Sequence, residues 1–173
     1  LIKHNKDIFK AYDIRGIVGK ALTAKNVETI GHAIGSEARA RNLTCIAIGR
    51  DGRLSCTELS QALARGIQKS GINVIDTGMV ATPILYYAAH ELCQYSGVMV
   101  TGSHNPPEYN GFKIVLGGET LAADTIQALR LRIENNDLSH GQGNYSEQVI
   151  SDAYLNRITS DVKLARPMKI VVD

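Results

Sequence analysis

Apolar positions along the chain follow two periods in turn, and that alternation predicts an architecture. Thr23 to Arg41 sets Val27, Ile30, Ile34 and Ala38 on one face, the spacing of an amphipathic helix. Thr44 to Gly49 is a short apolar run stopped by Arg50-Asp51-Gly52-Arg53, which reads as a strand followed by a self-paired polar turn. Ser55, with Glu58 three residues on, predicts a capping box opening the next helix. Leu59, Leu63, Gly66, Ile67 and Ser70 form its stripe, and Gly71 is placed to end it.

Ile72 to Asp76 reads as the next strand, and Thr82-Pro83 as the N-cap and first turn of a helix reaching Leu92. Gly97 to Thr101 is a third strand. The fourth, Phe112 to Leu116, alternates: Phe112, Ile114 and Leu116 share one face, Lys113 and Val115 the other. A helix from Ala123 to Asn135 buries Ile126, Leu129 and Ile133. Asn136 to Glu147 is polar and glycine-containing, a loop or linker. A last helix carries Ile150, Tyr154, Ile158 and Val162 in register, Pro167 breaks it, and Met168 to Val172 starts a further strand. Strands alternating with full-length helices predict a three-layer α/β/α domain with a mixed, largely parallel sheet. The expected division is 1–140 for this domain and 141–173 for a linker, a helix and the cut start of a second domain.

Composition narrows the function without naming it. The 173 residues carry 19 Lys+Arg against 17 Asp+Glu, and only 5% are aromatic, with no Trp. A near-neutral, aromatic-poor chain argues against nucleic acid and anionic membranes as partners. Leu1 to Lys10 holds no apolar leader segment, and no apolar run is long enough to span a bilayer. Cys45, Cys56 and Cys93 show no metal-ligand spacing, and are read as three free thiols of a cytoplasmic protein. A dinucleotide fingerprint is absent, and Gly66 to Gly71 has phosphate-loop spacing but lacks the following Lys and falls at a helix end.

The segment with most chemistry is Thr101-Gly-Ser-His-Asn-Pro-Pro107, at a strand's carboxyl end, where ligands gather in open α/β sheets. Ser103 offers a hydroxyl, His104 and Asn105 adjacent polar groups, and the prolines a stiff exit. From the residues alone, a serine bonding its own backbone in a turn is the commoner reading. In Phe9-Lys-Ala-Tyr-Asp-Ile-Arg-Gly16, Tyr12 stands three residues before Arg15. Arg15 either forks onto a phosphate or pairs with Asp13 at the surface. Lys113 is the one charge in an apolar strand, which marks either a solvent-facing position or a phosphate neighbour. His32, His90 and His140 read as solvated side chains.

Taken together, Phe9–Gly16, Gly49-Arg-Asp-Gly-Arg53, the Ser103 loop and Asn110-Gly-Phe-Lys113 resemble the N-terminal domain of the α-D-phosphohexomutases. The similarity runs from about Phe9 to Asn135. The Tyr-Asp-Ile-Arg-Gly form resembles the bacterial phosphomannomutase/phosphoglucomutase branch. That resemblance implies a phosphoserine at Ser103 exchanging phosphate with mannose or glucose phosphates through a bisphosphorylated sugar. It implies Arg15 and Lys113 flanking the transferring group, Lys113 also moving a proton, Tyr12 shaping the sugar pocket, and His104 and Asn105 orienting the loop. Asn110 is carried over as a substrate-binding residue. One Mg²⁺ is implied, held mainly by an Asp-Gly-Asp-Gly-Asp-Arg loop of a later domain that this sequence does not contain. Ser103 is then its one ligand here, and the remaining domains of the polypeptide are partners. The chain is expected to be inactive alone. The alternatives are a non-catalytic phosphosugar- or anion-binding module, and an α/β interaction domain with incidental motif matches.

Overall fold

A computed structural model describes residues 6–172. Residues 1–5, part of the N-terminal stretch read above, and Asp173 lie outside that range. In chain order the elements are β1 (Ile14–Ile17), α1 (Ala24–Ala40), β2 (Cys45–Arg50), α2 (Cys56–Lys69), β3 (Asn73–Met79) and α3 (Thr82–Leu92). Then follow β4 (Gly97–Val100), β5 (Tyr109–Leu116), β6 (Glu119–Thr120), α4 (Asp124–Glu134), β7 (Tyr145–Glu147) and α5 (Ser151–Asp161). The sheet runs β1-β5-β4-β2-β3-β7, with β6 beside β5.

The sheet is mixed, as the pattern predicts. β4, β2, β3 and β7 are mutually parallel, and β5 runs against β4, β1 and β6. Only eight residues separate β4 from β5, too few for the crossover a parallel pair requires. The antiparallel half follows from that short connection.

Helices cover both faces. Ile46, Ile48, Val74, Val98, Val100, Phe112, Ile114 and Leu116 point to the α1, α2 and α4 side, meeting Ile30, Ile34, Leu63, Ile67, Ile126 and Leu129. Each such wholly buried Leu or Ile contributes about 1.5–3 kcal/mol. Ala47, Met99 and Val115 point the other way, to Leu85, Ala88 and Ala89 of α3. Helices α1 and α2 touch backbone to backbone: a Cβ on Gly66 would stand 2.0 Å from the Glu28 carbonyl oxygen. α5 joins the α3 side through an edge-on contact between Tyr154 and Tyr87, centroids 5.6 Å apart.

Several local expectations are corrected. Ser55 precedes α2 but makes no capping bond; its Oγ accepts from Asn110 Nδ2 at 2.9 Å, so the capping box does not form. Thr82 is the first helical residue of α3, and Ala81 is the N-cap. The polar stretch from Asn136 to Glu147 is not all loop, because β7 pairs in parallel with β3; Ile150, read into the last helix, is instead the N-cap of α5 and is buried in the α3-side core. No strand forms over Met168 to Val172, where Val171 and Val172 are almost fully exposed.

The expectation of three free thiols is also overturned. Cys45 of β2 and Cys93, the cap of α3, form a disulfide with Cα atoms 4.9 Å apart. The return of α3 onto the sheet brings them together across 48 residues, a pairing no spacing reveals. Cys56 alone is free, and it is buried. The thiol count therefore lends no support to a reducing compartment. No helix among the described residues is long and apolar enough to cross a membrane.

Candidate active site

The carboxyl ends of β2 and β4 lie side by side, Arg50 opposite Val100. The Arg50–Arg53 segment therefore emerges beside the Ser103 loop. Asp51 continues the ladder, its amide donating to Val100 O at 3.0 Å. Its carboxylate sits between the two segments. Oδ2 accepts from Thr101 Oγ1 at 2.7 Å and from the Gly102 amide at 3.2 Å, while Oδ1 accepts from the Arg53 amide at 3.0 Å and Cys56 Sγ at 2.9 Å. Burial alone would raise the Asp51 pKa, but these donors outweigh it and hold the group below the ordinary carboxylate value. Thr101 Oγ1 in turn accepts from the Ser103 amide at 2.8 Å.

Arg53 reaches under the loop. Nη1 donates to Pro106 O at 2.7 Å and Tyr109 O at 3.1 Å; Nη2 donates to Asn105 O at 2.6 Å and Ser103 O at 3.1 Å. Its Nε lies 3.5 Å from Asp51 Oδ2, so part of the self-paired turn exists. The larger part of Arg53's contacts belongs to the serine loop, and Arg50 pairs with Asp76 at 3.2 Å instead. The turn is thus corrected to a support for the loop.

Ser103 is exposed and sits at φ +54°, a left-handed backbone that costs a non-glycine residue of order 1–3 kcal/mol. Such a conformation persists only when its surroundings fix it, as Asp51, Thr101 and Arg53 do here. The serine's own backbone bonds hold the turn, and its hydroxyl is left at the surface, 3.4 Å from His104 Nδ1.

Arg15 pairs with Asp13, as one of its two readings expects, and it also reaches the serine loop. Nη2 bonds Asp13 and Nη1 bonds Asn105 Oδ1, so the guanidinium pairs locally and grips the serine loop. Its Nε is buried without a partner. Gly111 faces Arg15 in the β1–β5 ladder, and a Cβ there would stand 2.3 Å from Ile14 O, so only glycine permits this pairing. Lys113, two residues further along β5, is opposite Met99 and half-buried; it lies on Arg15's side of the sheet. Tyr12 is 80% exposed and borders a cleft of about 350 Å³ with Lys10, Asp13 and Arg15. A second cleft, of about 510 Å³, lies on the Arg53, Leu54 and Asn105 side.

Asn110 is the one predicted site residue that the structure removes from the surface. It is fully buried, and its Nδ2 donates to Ser55 Oγ and, at 3.1 Å, to Cys56 Sγ. It braces the site from behind. Burial also pushes the Cys56 thiol up to about 11, with the Asp51 charge adding to it and the Asn110 bond opposing it. Asp51, Arg53, Thr101 and Cys56 were absent from the predicted site. The signal was there in part, since charged residues directly after a strand mark the sheet edge where ligands gather. His32 is more than solvated: its Nε2 lies 2.6 Å from Ser139 O, far from this site.

Residues 6–140 match the model of the phosphoglucomutase/phosphomannomutase α/β/α domain I. The chain is 58% identical over 166 residues to a phosphomannomutase/phosphoglucomutase of Pseudomonas aeruginosa, covering 96% of the chain and 36% of that protein. It is 55% identical over 170 residues to a phosphoglucomutase of Neisseria meningitidis, covering 97% of the chain and 37% of that protein. Among solved structures, a phosphoglucomutase/phosphomannomutase family protein from Burkholderia thailandensis superposes with TM-score 0.89 at 47% identity, over 93% of this chain and 37% of that one. The chain thus spans little more than a third of the length of these relatives.

Proposed function

The chain belongs to the phosphoglucomutase/phosphomannomutase family, and on that footing we propose that it carries the phosphoryl-transferring serine of a hexose-phosphate mutase. The observation that carries this reading is Ser103 itself, exposed at φ +54° on a loop braced by Arg53 and Asp51. A strained, outward hydroxyl at a strand's carboxyl end is placed for group transfer.

In the proposed cycle Ser103 starts phosphorylated, at about −1.5 to −2 charge. A sugar hydroxyl attacks the phosphorus. The bond from phosphorus to Ser103 Oγ breaks, a bond to the sugar oxygen forms, and Lys113 relays the sugar hydroxyl proton to Ser103 Oγ. The bisphosphorylated sugar then presents its other phosphate: Ser103 Oγ gives up its proton and bonds that phosphorus, the bond from phosphorus to the sugar oxygen breaks, and the freed sugar oxygen takes the proton. Such a transfer depends on positioning and on charge neutralisation. Arg15 serves both, since it is tied to the loop through Asn105. Tyr12 borders the sugar cleft, and His104 stays beside Oγ to orient the loop.

Phosphohexomutases generally depend on Mg²⁺, which supplies charge stabilisation to the transferring phosphoryl group. Among the described residues no group of three or more His, Cys, Asp or Glu could hold a metal. Asp51 and Asp13 already accept from neighbouring donors. Among the described residues, a phosphate on Ser103 would be the group offered to the ion, and the other ligands would come from a later domain of the polypeptide. Mannose and glucose phosphates are both within the proposed substrate class.

The test is intact-mass and peptide mapping of the full-length polypeptide purified from cells, with turnover assays. Phosphate on Ser103, and loss of glucose 1-phosphate and mannose 1-phosphate conversion in Ser103→Ala, are the expected results. Unimpaired conversion by Ser103→Ala would overturn the reading. Binding of sugar phosphate without any phosphoserine would favour a non-catalytic module.

A further inference from the structure

Four backbone carbonyls between Ser103 and Tyr109 converge on the two terminal nitrogens of Arg53. We infer that Arg53 is a positioning residue for phosphoryl transfer: its planar fork draws these carbonyls beneath the loop and so holds Ser103 left-handed, with Oγ outward. The inference rests on the mutase reading above.

Geometry carries it. A guanidinium spreads its donors over a plane and meets two acceptors at each end, whereas an ammonium is a single point with three donors. Ser103 O and Asn105 O meet one nitrogen, Pro106 O and Tyr109 O the other, an arrangement lysine cannot copy. The fit extends to Gly102, where a Cβ would stand 2.3 Å from Arg53 Cζ and 2.4 Å from Nε. Without a side chain at 102, the guanidinium lies flat against the loop.

Charge points the same way. Asp51, the nearest carboxylate, is 3.5 Å from Nε and already accepts from Thr101, Gly102, Cys56 and the Arg53 amide. Carbonyl dipoles therefore answer most of the Arg53 charge. Four carbonyls left without that donor would repel one another and turn toward solvent. That is the side where a phosphate on Ser103 would bring its own negative charge.

A purely architectural role fits less well. Three of the four carbonyls belong to the loop, and Tyr109 is only the first residue of β5. The β2–β4 ladder and the hydrophobic layers do not pass through the Arg53 side chain. Loss of Arg53 should therefore displace the nucleophile while leaving the core folded.

The experiment uses the full-length polypeptide with Arg53→Lys, Arg53→Ala and Ser103→Ala, assayed with glucose 1-phosphate alongside thermal unfolding. A small misplacement of a reacting group costs on the order of 100-fold in rate, and this is the expected fall in kcat for both Arg53 variants. KM should stay within about three-fold, as for an interaction that acts mainly in the transition state, and the unfolding midpoint should hardly move. Added guanidinium ion should restore turnover to Arg53→Ala, and ammonium should not. A wild-type kcat in Arg53→Lys overturns the inference, as does a loss that follows unfolding and resists guanidinium. The mutase reading fails separately, on a Ser103→Ala protein that still turns over.

Discussion

The Arg53 guanidinium occupies the space that a Cβ on Gly102 would need, 2.3 Å from Cζ. Residue 102 is thus fixed as glycine by a side chain 49 positions earlier in the sequence. Gly102→Ala is expected to push Arg53 off the loop carbonyls while leaving the sheet intact. Amide exchange should quicken at Ser103 and Asn105, whose amides bond Thr101 Oγ1 and Gly102 O within the loop, and stay slow in β2 and β4. Turnover in the full-length polypeptide should fall by roughly 10- to 100-fold. Unchanged exchange in the loop would show that Arg53 yields to the methyl group without moving it.

A second prediction concerns the backbone of Ser103. At φ +54° an L-residue pays about 1–2 kcal/mol that glycine avoids. Glycine loses part of that advantage through its freer unfolded chain, by about 0.4–1 kcal/mol. Ser103→Gly should therefore be more stable than Ser103→Ala by up to about 1.6 kcal/mol, although neither retains the nucleophile. Urea unfolding of the two variants checks this. Equal stabilities would mean that the loop relaxes out of the left-handed region once the hydroxyl is gone.

What the sequence disclosed tracks the range of the interaction concerned. The α1 stripe of Val27, Ile30, Ile34 and Ala38, and the alternation of Phe112, Ile114 and Leu116, are local periodicities, and these residues are buried as read. The strand begins at Tyr109, ahead of the Phe112 predicted from the sequence, and the same alternation carried back two residues puts Asn110 on the core side. Ser55 illustrates the opposite case, since a local capping pattern lost to Asn110, 55 residues away. The Arg53 contacts and the Cys45–Cys93 bond join residues roughly fifty positions apart across strands whose order no local pattern states. β7 was hidden because three residues carry no measurable period.

Thiol titration tests the bond between Cys45 and Cys93 directly. Denatured but unreduced chain should label at Cys56 alone, and at all three cysteines after reduction. A cross-link closing 48 residues restricts the unfolded chain by about 4 kcal/mol in the chain-entropy treatment. Reduction should accordingly lower the unfolding free energy measurably. Labelling of three thiols before reduction would remove the bond from the account.

The acid limb of stability should depend on Asp51. Its folded pKa lies below the ordinary value, because four donors outweigh the cost of burial; the unfolded value is about 3.9. The depressed group stabilises the native state fully above that pH, and the contribution is lost as pH falls through the lower folded value. Asp51→Asn should therefore unfold at lower urea than wild type at neutral pH. The gap between the two proteins should narrow below about pH 4. Glu28 and Glu37 are depressed as well, each mainly through hydrogen bonds and charge from Lys or Arg that overcome burial, so some acid sensitivity will persist in the variant. Subtracting the two pH profiles isolates Asp51. A difference that stays constant from neutral pH down to pH 3 would mean that the carboxylate's shape, and not its charge, holds Thr101 and Gly102 in place.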